Sequence, residues 1–290
     1  MTHTKLSDKA VLVKLTIRRA ALTKRDHGLT ATLQAQEKDN SLTVLTKLFK
    51  NKDSAINQIM SKYGEMYQCH RKLTLPYVDA GPRILPNDLY MEYTQEMKHR
   101  IAEVDKLLDT YMPMYDQLVH DDVMYRNSGY AAGRANTDEY PTAEQFRLSM
   151  SAELRFQPMA DATHFLFDLS DDDLAAFKRA EEEAAAAVNT DTVQRMLKPI
   201  QSLVTKLAEY QGSKSERWHN SLIENVIEGC KLARKLAINP TQELLDEITA
   251  LEESAQGYLA DVEMIKGSAN KRSEAKRKLE EVAARMGAFA

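Results

Sequence analysis

The sequence predicts a mainly α fold with a small β-sheet, an α+β chain built of long antiparallel helices in an unusual topology. Three observations predict it. Apolar residues recur at intervals of three and four through residues 87–120 and again from residue 170 onward, the spacing of buried helix faces. Only three short segments carry the β-branched or alternating pattern of strands, at residues 11–17, 152–156 and 164–168. The 290 residues hold only 10 Gly and 8 Pro, with 43% hydrophobic and 28% charged side chains, which suits folded domains and excludes a disordered, collagen-like or low-complexity chain.

Taken in order, residues 11–17 set aliphatic side chains against Lys14 and Thr16, which predicts a strand. Residues 53–73 place Ile56, Ile59, Met60, Tyr63 and Tyr67 at helical spacing and stop before Pro76. Residues 73–86, with Pro76, Gly81, Pro82 and Pro86, predict a rigid loop. A long helix starts at residue 87, capped by Asn87 or Asp88, and carries Leu89, Tyr93, Met97, Ile101, Val104, Leu108, Tyr111, Tyr115 and Leu118 on one stripe. Pro113 has no amide proton, so the helix is expected to kink or break near residues 109–112. Gly129 and Gly133, among Arg126, Asn127, Arg134 and Asn136, predict an adaptable stretch up to Pro141, where Pro141-Thr142-Ala143-Glu144 opens a short helix.

The strand pair 152–156 and 164–168 is separated by a break at Pro158 and joins the first strand in one small sheet. Beyond it the chain turns wholly helical. Ser170 caps the first of these helices, and Asp171, Asp172 and Asp173 in its first turn suit the helix dipole. Further helices span about residues 191–210, 216–236, 241–265 and 268–286, punctuated by Gly212, Asn239-Pro240 and Gly267. The expected organisation is a mixed α/β N-terminal domain with a basic face over residues 1–169 and a helical C-terminal region over residues 170–290. The apolar stripes in 87–120 and 216–265 suit a helix-mediated homo-oligomer or an intramolecular bundle equally.

Charge is segregated along the chain. Residues 1–100 hold 17 Lys plus Arg against 10 Asp plus Glu, a net of +7; residues 101–200 net −10 and residues 201–290 net −1, giving −4 overall. A chain of modest net charge can still present a basic face, which attracts polyanions by counterion release. The competing reading is that the first two thirds neutralise each other in the fold. No apolar run approaches the roughly 20 residues needed to cross a bilayer, and no signal peptide is visible, so no membrane association is expected. Two cysteines, Cys69 and Cys230, cannot form a disulfide scaffold, which suits a cytoplasmic setting.

Catalytic motifs are absent. Gly212-Ser213-Lys214-Ser215 lacks the upstream glycine and strand of a phosphate loop, and there is no nucleophile elbow or zincin pair, so no enzyme activity and no cofactor are expected. His120-Asp121-Asp122 and the run from Asp171 to Asp173 are the densest acidic spots, and a helix surface and a helix N-terminus explain them more cheaply than a metal does. Cys69-His70 has no second ligand nearby.

Residue types favour nucleic acid better. Lys5, Lys9, Lys14, Arg18, Arg19, Lys24 and Arg25 are opposed in the first 25 residues only by Asp8, and Lys47, Phe49, Lys50 and Lys52 form a second cluster. Single-stranded nucleic acid needs cations along its backbone and flat side chains on which bases stack. Tyr125, Arg126, Tyr130 and Arg134, on a backbone loosened by glycine, suit a clamp over a strand. The expected contacts are Arg18, Arg19, Lys24, Arg25, Lys47, Lys50, Arg126 and Arg134 to phosphates, with Phe49, Tyr125 and Tyr130 stacking on bases. Tyr63 and Tyr67, four apart, serve either a core or an extension of that face. The C-terminal Lys266, Lys271, Arg272, Lys276, Arg277 and Lys278 interleave with Glu274, Glu280 and Glu281, as a solvated helix face does.

Residues 75–86, Leu-Pro-Tyr-Val-Asp-Ala-Gly-Pro-Arg-Ile-Leu-Pro, resemble a phage and mobile-element family of uncharacterised proteins with a Leu-Pro-aromatic-x-Asp-x-Gly-x-Arg-x-Leu-Pro signature. Tyr77 stands at the aromatic position. The flanks are similar too: Lys14-Leu15-Thr16-Ile17 in an early strand, a long helix after Pro86, the Tyr140-Pro141 step, and Phe156 to Phe167 around a proline. The likeness covers about residues 10–170. It departs after the first strand, where Arg18-Arg19-Ala20-Ala21 replaces a Trp and Gly-Arg-Lys-like stretch. Within the signature loop, Arg83 is expected to pair with Asp79 or cap helix carbonyls. The resemblance implies genes near MoxR-type AAA+ ATPases or phage recombination and replication genes. Size and mixed charge are also similar to a phage-encoded single-stranded-DNA-binding cofactor of phage RNA polymerase, of mainly helical fold.

Two functions follow as expectations. One is a phage-encoded, non-enzymatic single-stranded-DNA-binding protein of the host cytoplasm that supports phage replication, recombination or transcription, with phage RNA polymerase a candidate partner. The other is an adaptor for a MoxR-type AAA+ ATPase, carried by the long helices and the acidic middle.

Overall fold

The structure, a computed structural model, describes residues 6–77, 81–129, 133–159, 171–211, 217–238 and 240–289. It is mainly helical, with a small three-stranded antiparallel sheet and a separate two-stranded one. In chain order the elements are α1 (Leu6–Lys9), β1 (Ala10–Arg18), β2 (Thr23–Arg25), α2 (His27–Glu37), β3 (Leu45–Lys47), α3 (Ala55–Leu73) and β4 (Arg83–Pro86). A 3-10 turn, Asn87–Leu89, opens α4 (Tyr90–Tyr111), and another, Met112–Met114, separates it from α5 (Tyr115–Asn127). Then follow a third 3-10 turn (Thr137–Glu139), α6 (Ala143–Ser149), β5 (Ser151–Pro158), α7 (Asp171–Glu209), α8 (Ser221–Leu236), α9 (Gln242–Ala260), α10 (Val262–Gly267) and α11 (Ala269–Gly287). Among the described residues no helix is long and apolar enough to cross a membrane.

Two compact units divide these elements, and neither is continuous in sequence. The first comprises Met1–Lys14, Arg71–Tyr93 and Arg155–Ala290. Its helices α7, α8, α9 and α11 each touch two of the others, closing a four-helix ring. Apolar residues three and four apart build its core, among them Ile200, Val226, Cys230, Ile248, Leu251 and Leu279, so the stripe in α8 and α9 is buried within the chain. The sheet order is β4-β1-β5, with β1 and β4 antiparallel in the register Ala10↔Pro86 to Val13↔Arg83. The segment expected to be a rigid loop thus contributes a strand. It turns back on itself through mutual backbone hydrogen bonds between Leu75 and Ile84. Arg195 of α7 fastens it by donating to the carbonyls of Lys72 and Thr74, at 2.7 and 2.8 Å, with Asp191 one turn earlier pairing the same guanidinium.

The second unit comprises Leu15–His70 and Thr94–Leu154. Its core is aromatic: Phe49 lies 5.2 Å from Tyr140, edge on, and 6.1 and 6.4 Å from Tyr115 and Phe146. Tyr63 joins this core, and burial pushes its phenol up to about 12. Tyr67 stays exposed, so only one of the two tyrosines serves the core.

Pro113 breaks the long helix as expected, through the 3-10 turn Met112–Met114. Thr142 caps α6 by accepting from the Gln145 amide, while Gln145 reaches back to the Thr142 amide. Two boundaries differ from expectation. Helix α7 runs unbroken through Asn189, Thr190 and Asp191, because Val188, Thr192 and Val193 are all buried and Thr192 turns its hydroxyl onto the Val188 carbonyl. Conversely the helix expected over 241–265 splits at Asp261. The expected strand at residues 164–168 lies outside the described residues.

Candidate nucleic-acid interface

Two of the basic clusters of the first third, around residues 24–25 and 47–50, lie on or beside the β2–β3 pair. The strands are antiparallel with Thr23↔Lys47, Lys24↔Thr46 and Arg25↔Leu45. Backbone bonds extend the ladder at both ends, from the Asp26 amide to the Val44 carbonyl and from the Leu48 amide to the Leu22 carbonyl. Period-two alternation puts Thr23, Arg25, Leu45 and Lys47 on one face and Lys24 with the buried Thr46 on the other. Helix α2 bridges the strands: Asp26 caps it by accepting from the Leu29 amide, and Lys38 ends it in the left-handed region at φ 53°. Thr30 accepts the Val44 amide, and Gln34 donates to the carbonyls of Asn40 and Leu42, so the return loop is bonded back onto the helix.

Arg18, Arg19, Lys24 and Arg25 are all exposed, and no described carboxylate pairs with any of them. That distinguishes them from cations elsewhere, such as Arg147 with Asp105 and Asp109, Arg195 with Asp191, and Lys235 with Glu92. Lys47, Lys50 and Lys52 are exposed as well. Lys266, Lys271, Lys276, Arg277 and Lys278, by contrast, run in pairs with Glu263, Glu274, Glu280 and Glu281 along the helix surface, whereas Arg272, expected on the same solvated face, is buried and donates to the carbonyls of Ile265 and Lys266.

Phe49 and Arg126 require correction. Phe49 is 0% exposed, so no base can stack on it. Its backbone sits in the left-handed region at φ 50°, which turns the ring inward between the outward-facing Lys47 and Lys50. That conformation is held by Asp122 of α5, whose carboxylate accepts the Phe49 amide at 2.7 Å and the Lys50 amide at 3.0 Å. Asn57 of α3 completes the clamp, donating to the carbonyls of Phe49 and Asn51. Arg126, 2% exposed, cannot reach a phosphate. It donates to the Tyr140 hydroxyl at 2.9 Å and pairs with Glu139 at 2.7 Å, while that hydroxyl donates onward to Asp122 at 2.6 Å. Burial first, and the Asp122 carboxylate second, hold the Tyr140 phenol far above its usual range.

The arrangement is a buried polar chain, Glu139 to Arg126 to Tyr140 to Asp122, that fixes the backbone beneath the exposed Lys50. One turn further along α5, Tyr125 is 50% exposed and offers a ring to solvent. Beyond it, Asn127 clasps Ala135 with a reciprocal pair of 2.9 Å bonds, tying the two ends of the intervening loop together. Gly133 in that loop has φ 86°, a conformation that favours glycine. Arg134 is exposed, and Tyr130 lies outside the described residues. The structure therefore places Lys47 with Arg25 on one hairpin face and holds the Lys50 backbone against α5, with Phe49 and Arg126 as internal supports.

The remaining sequence candidates resolve locally. Asp122 is the buried acceptor above, and Asp121 accepts from Gln117. Arg83 caps the chain after α3, donating to the Thr74 hydroxyl and carbonyl at 2.7 and 3.0 Å; its expected partner Asp79 lies outside the described residues. Among the described residues no group of three His, Cys, Asp or Glu is placed to hold a metal ion. No family model, no curated protein and no solved structure matches the chain.

Proposed function

We propose that this is a phage-encoded, non-enzymatic protein that binds single-stranded DNA through the exposed cations around the β2–β3 pair of its second unit, in support of phage replication, recombination or transcription. One observation carries the reading. Arg18, Arg19, Lys24 and Arg25 stand exposed within eight residues and have no carboxylate partner among the described residues. The idea that the basic third is balanced within the fold is weakest there. Four unpaired cations on a short strand and its approach suit a polyanion, whose counterions they release. Tyr125 supplies a stacking surface, and Leu45, 65% exposed between Arg25 and Lys47, an apolar contact for an unpaired base.

With Phe49 and Arg126 internal, phosphate contacts dominate over stacking, so affinity is salt-sensitive and nearly independent of base sequence. The phage context and a polymerase partner rest on the sequence resemblance. The experiment is fluorescence anisotropy of labelled single-stranded and double-stranded DNA of one sequence at two salt concentrations. Tighter, salt-sensitive binding to the single strand supports the proposal. No binding at low salt up to high micromolar protein refutes it and turns attention to an ATPase adaptor role, tested by complex formation and altered hydrolysis.

A further inference from the structure

One apolar side chain departs from the pattern of the β2–β3 pair. Alternation sets Leu22, Lys24, Thr46 and Leu48 on one face, with Thr46 and Leu48 buried, and Thr23, Arg25, Leu45 and Lys47 on the other. All four residues of that second face are exposed, and Thr23, Arg25 and Lys47 are polar or charged, as a solvated face requires. Leu45 is the exception, 65% exposed among them. The face is held in place: backbone bonds of 2.9 and 2.8 Å close the ladder at its two ends, and a slip of one residue would trade the buried Leu48 for Lys47.

Register and pleat determine what surrounds Leu45. Arg25 stands directly opposite, at a Cβ separation of about 4.5–5.5 Å, and Lys47 follows two residues along the same strand, about 7 Å away. Neither strand carries a carboxylate, and Asp26, the residue after β2, turns its own to the Leu29 amide. A small apolar surface between two cations fits one stretch of an unpaired polynucleotide, in which a splayed base covers the leucine and the flanking phosphates meet the cations. In a duplex the bases are stacked on their neighbours and the phosphates stand outermost, so the cations are met and the leucine is not.

We infer that Leu45 carries the selectivity for single-stranded over double-stranded DNA, an unpaired base lying against it between phosphate contacts to Arg25 and Lys47. The inference rests on the proposed function and divides its labour. The cations set the strength of binding to any DNA, and Leu45 sets which form is preferred. Lys24, on the face away from Leu45, acts on both forms through charge alone.

The test is fluorescence anisotropy of one DNA sequence, single-stranded and double-stranded, with the full-length chain and two variants. Leu45→Thr keeps a strand-favouring residue at an exposed position, so its urea midpoint should match that of the natural chain. It should weaken single-strand binding by about five- to tenfold, the worth of the lost apolar contact, while duplex affinity and the salt slope stay unchanged. Leu45→Phe offers a flat ring and should tighten single-strand binding several-fold without tightening the duplex. A natural chain that binds neither form refutes the proposed function and this inference with it. A natural chain that prefers the single strand, with that preference intact in Leu45→Thr or lost equally from both forms, overturns this inference alone.

Discussion

Replacing Asp122 with alanine tests the clamp that holds Phe49 and Lys50 in place. The carboxylate is 4% exposed and accepts three hydrogen bonds, from the amides of Phe49 and Lys50 and from the Tyr140 hydroxyl. Asp122→Ala orphans all three donors. A buried donor left without a partner costs about 1–3 kcal/mol, and the Phe49 amide and Tyr140 hydroxyl are buried while the Lys50 amide is partly so. The expected loss is about 3–5 kcal/mol, a large share of a typical domain's stability of about 5–15 kcal/mol. Urea unfolding followed by near-ultraviolet circular dichroism of the tyrosines reads it, as a midpoint lowered by about 1–2 M. Tyr140→Phe removes one of the three bonds and should cost about 1 kcal/mol. Because the two residues share a bond, the double variant should lose less than the sum of the singles. A loss below about 1 kcal/mol for Asp122→Ala, the worth of one exposed bond, would refute the clamp.

Phe49→Ala should destabilise the second unit by about 3–5 kcal/mol, as loss of a large buried ring does. A variant of unchanged stability but weaker DNA affinity would instead restore Phe49 to the surface. Arg195→Ala removes two bonds to the carbonyls of Lys72 and Thr74 and should lower stability by about 1–3 kcal/mol in urea titration; a neutral result would mean the fastening is redundant. Burial raises the Cys230 thiol from an ordinary 9.0 to about 12, so the folded chain keeps a proton that the unfolded chain loses. The stability from this group is complete below pH 9 and declines as pH rises from about 9 to about 12. At pH 8 Ellman's reagent should therefore find Cys230 silent until urea is added, and two fast equivalents from native protein would contradict its burial.

The sequence disclosed the elements whose signals are local. β1 alternates, α3 and α4 show their stripes, Pro113 breaks the helix it stands in, and Pro141-Thr142-Ala143-Glu144 announces α6. The strands β2 and β3 carry no such pattern, since Thr23-Lys24-Arg25 is wholly polar and three residues cannot show a period; their pairing depends on Thr30, Gln34 and the ladder ends. β4 hides between prolines, tolerated because Pro86 closes the strand. Among the candidate interface residues, the exposed cations were legible from charge alone, but which of their neighbours point inward was not. Asp122 and Arg126 carry a signal in retrospect. They continue the spacing of Tyr115 and Val119 along α5, which places both on the buried stripe, where polar side chains must find partners. Phe49 offers none, because a left-handed backbone angle at a non-glycine residue is imposed by tertiary contacts.

The most direct test of DNA binding by the exposed cations of residues 18–25 is the salt dependence of affinity for single-stranded DNA, compared between the natural chain and a variant with Arg18, Arg19, Lys24 and Arg25 all changed to alanine. All four are exposed, so the variant should unfold at the same urea concentration as the natural chain. Each phosphate contact to a single strand contributes about 0.7 to the slope of log affinity against log salt, so four lost contacts should flatten it by about 3. Affinity at low salt should fall alike for every base sequence. An unchanged slope and affinity would remove these four residues from any nucleic-acid interface and contradict the proposed function.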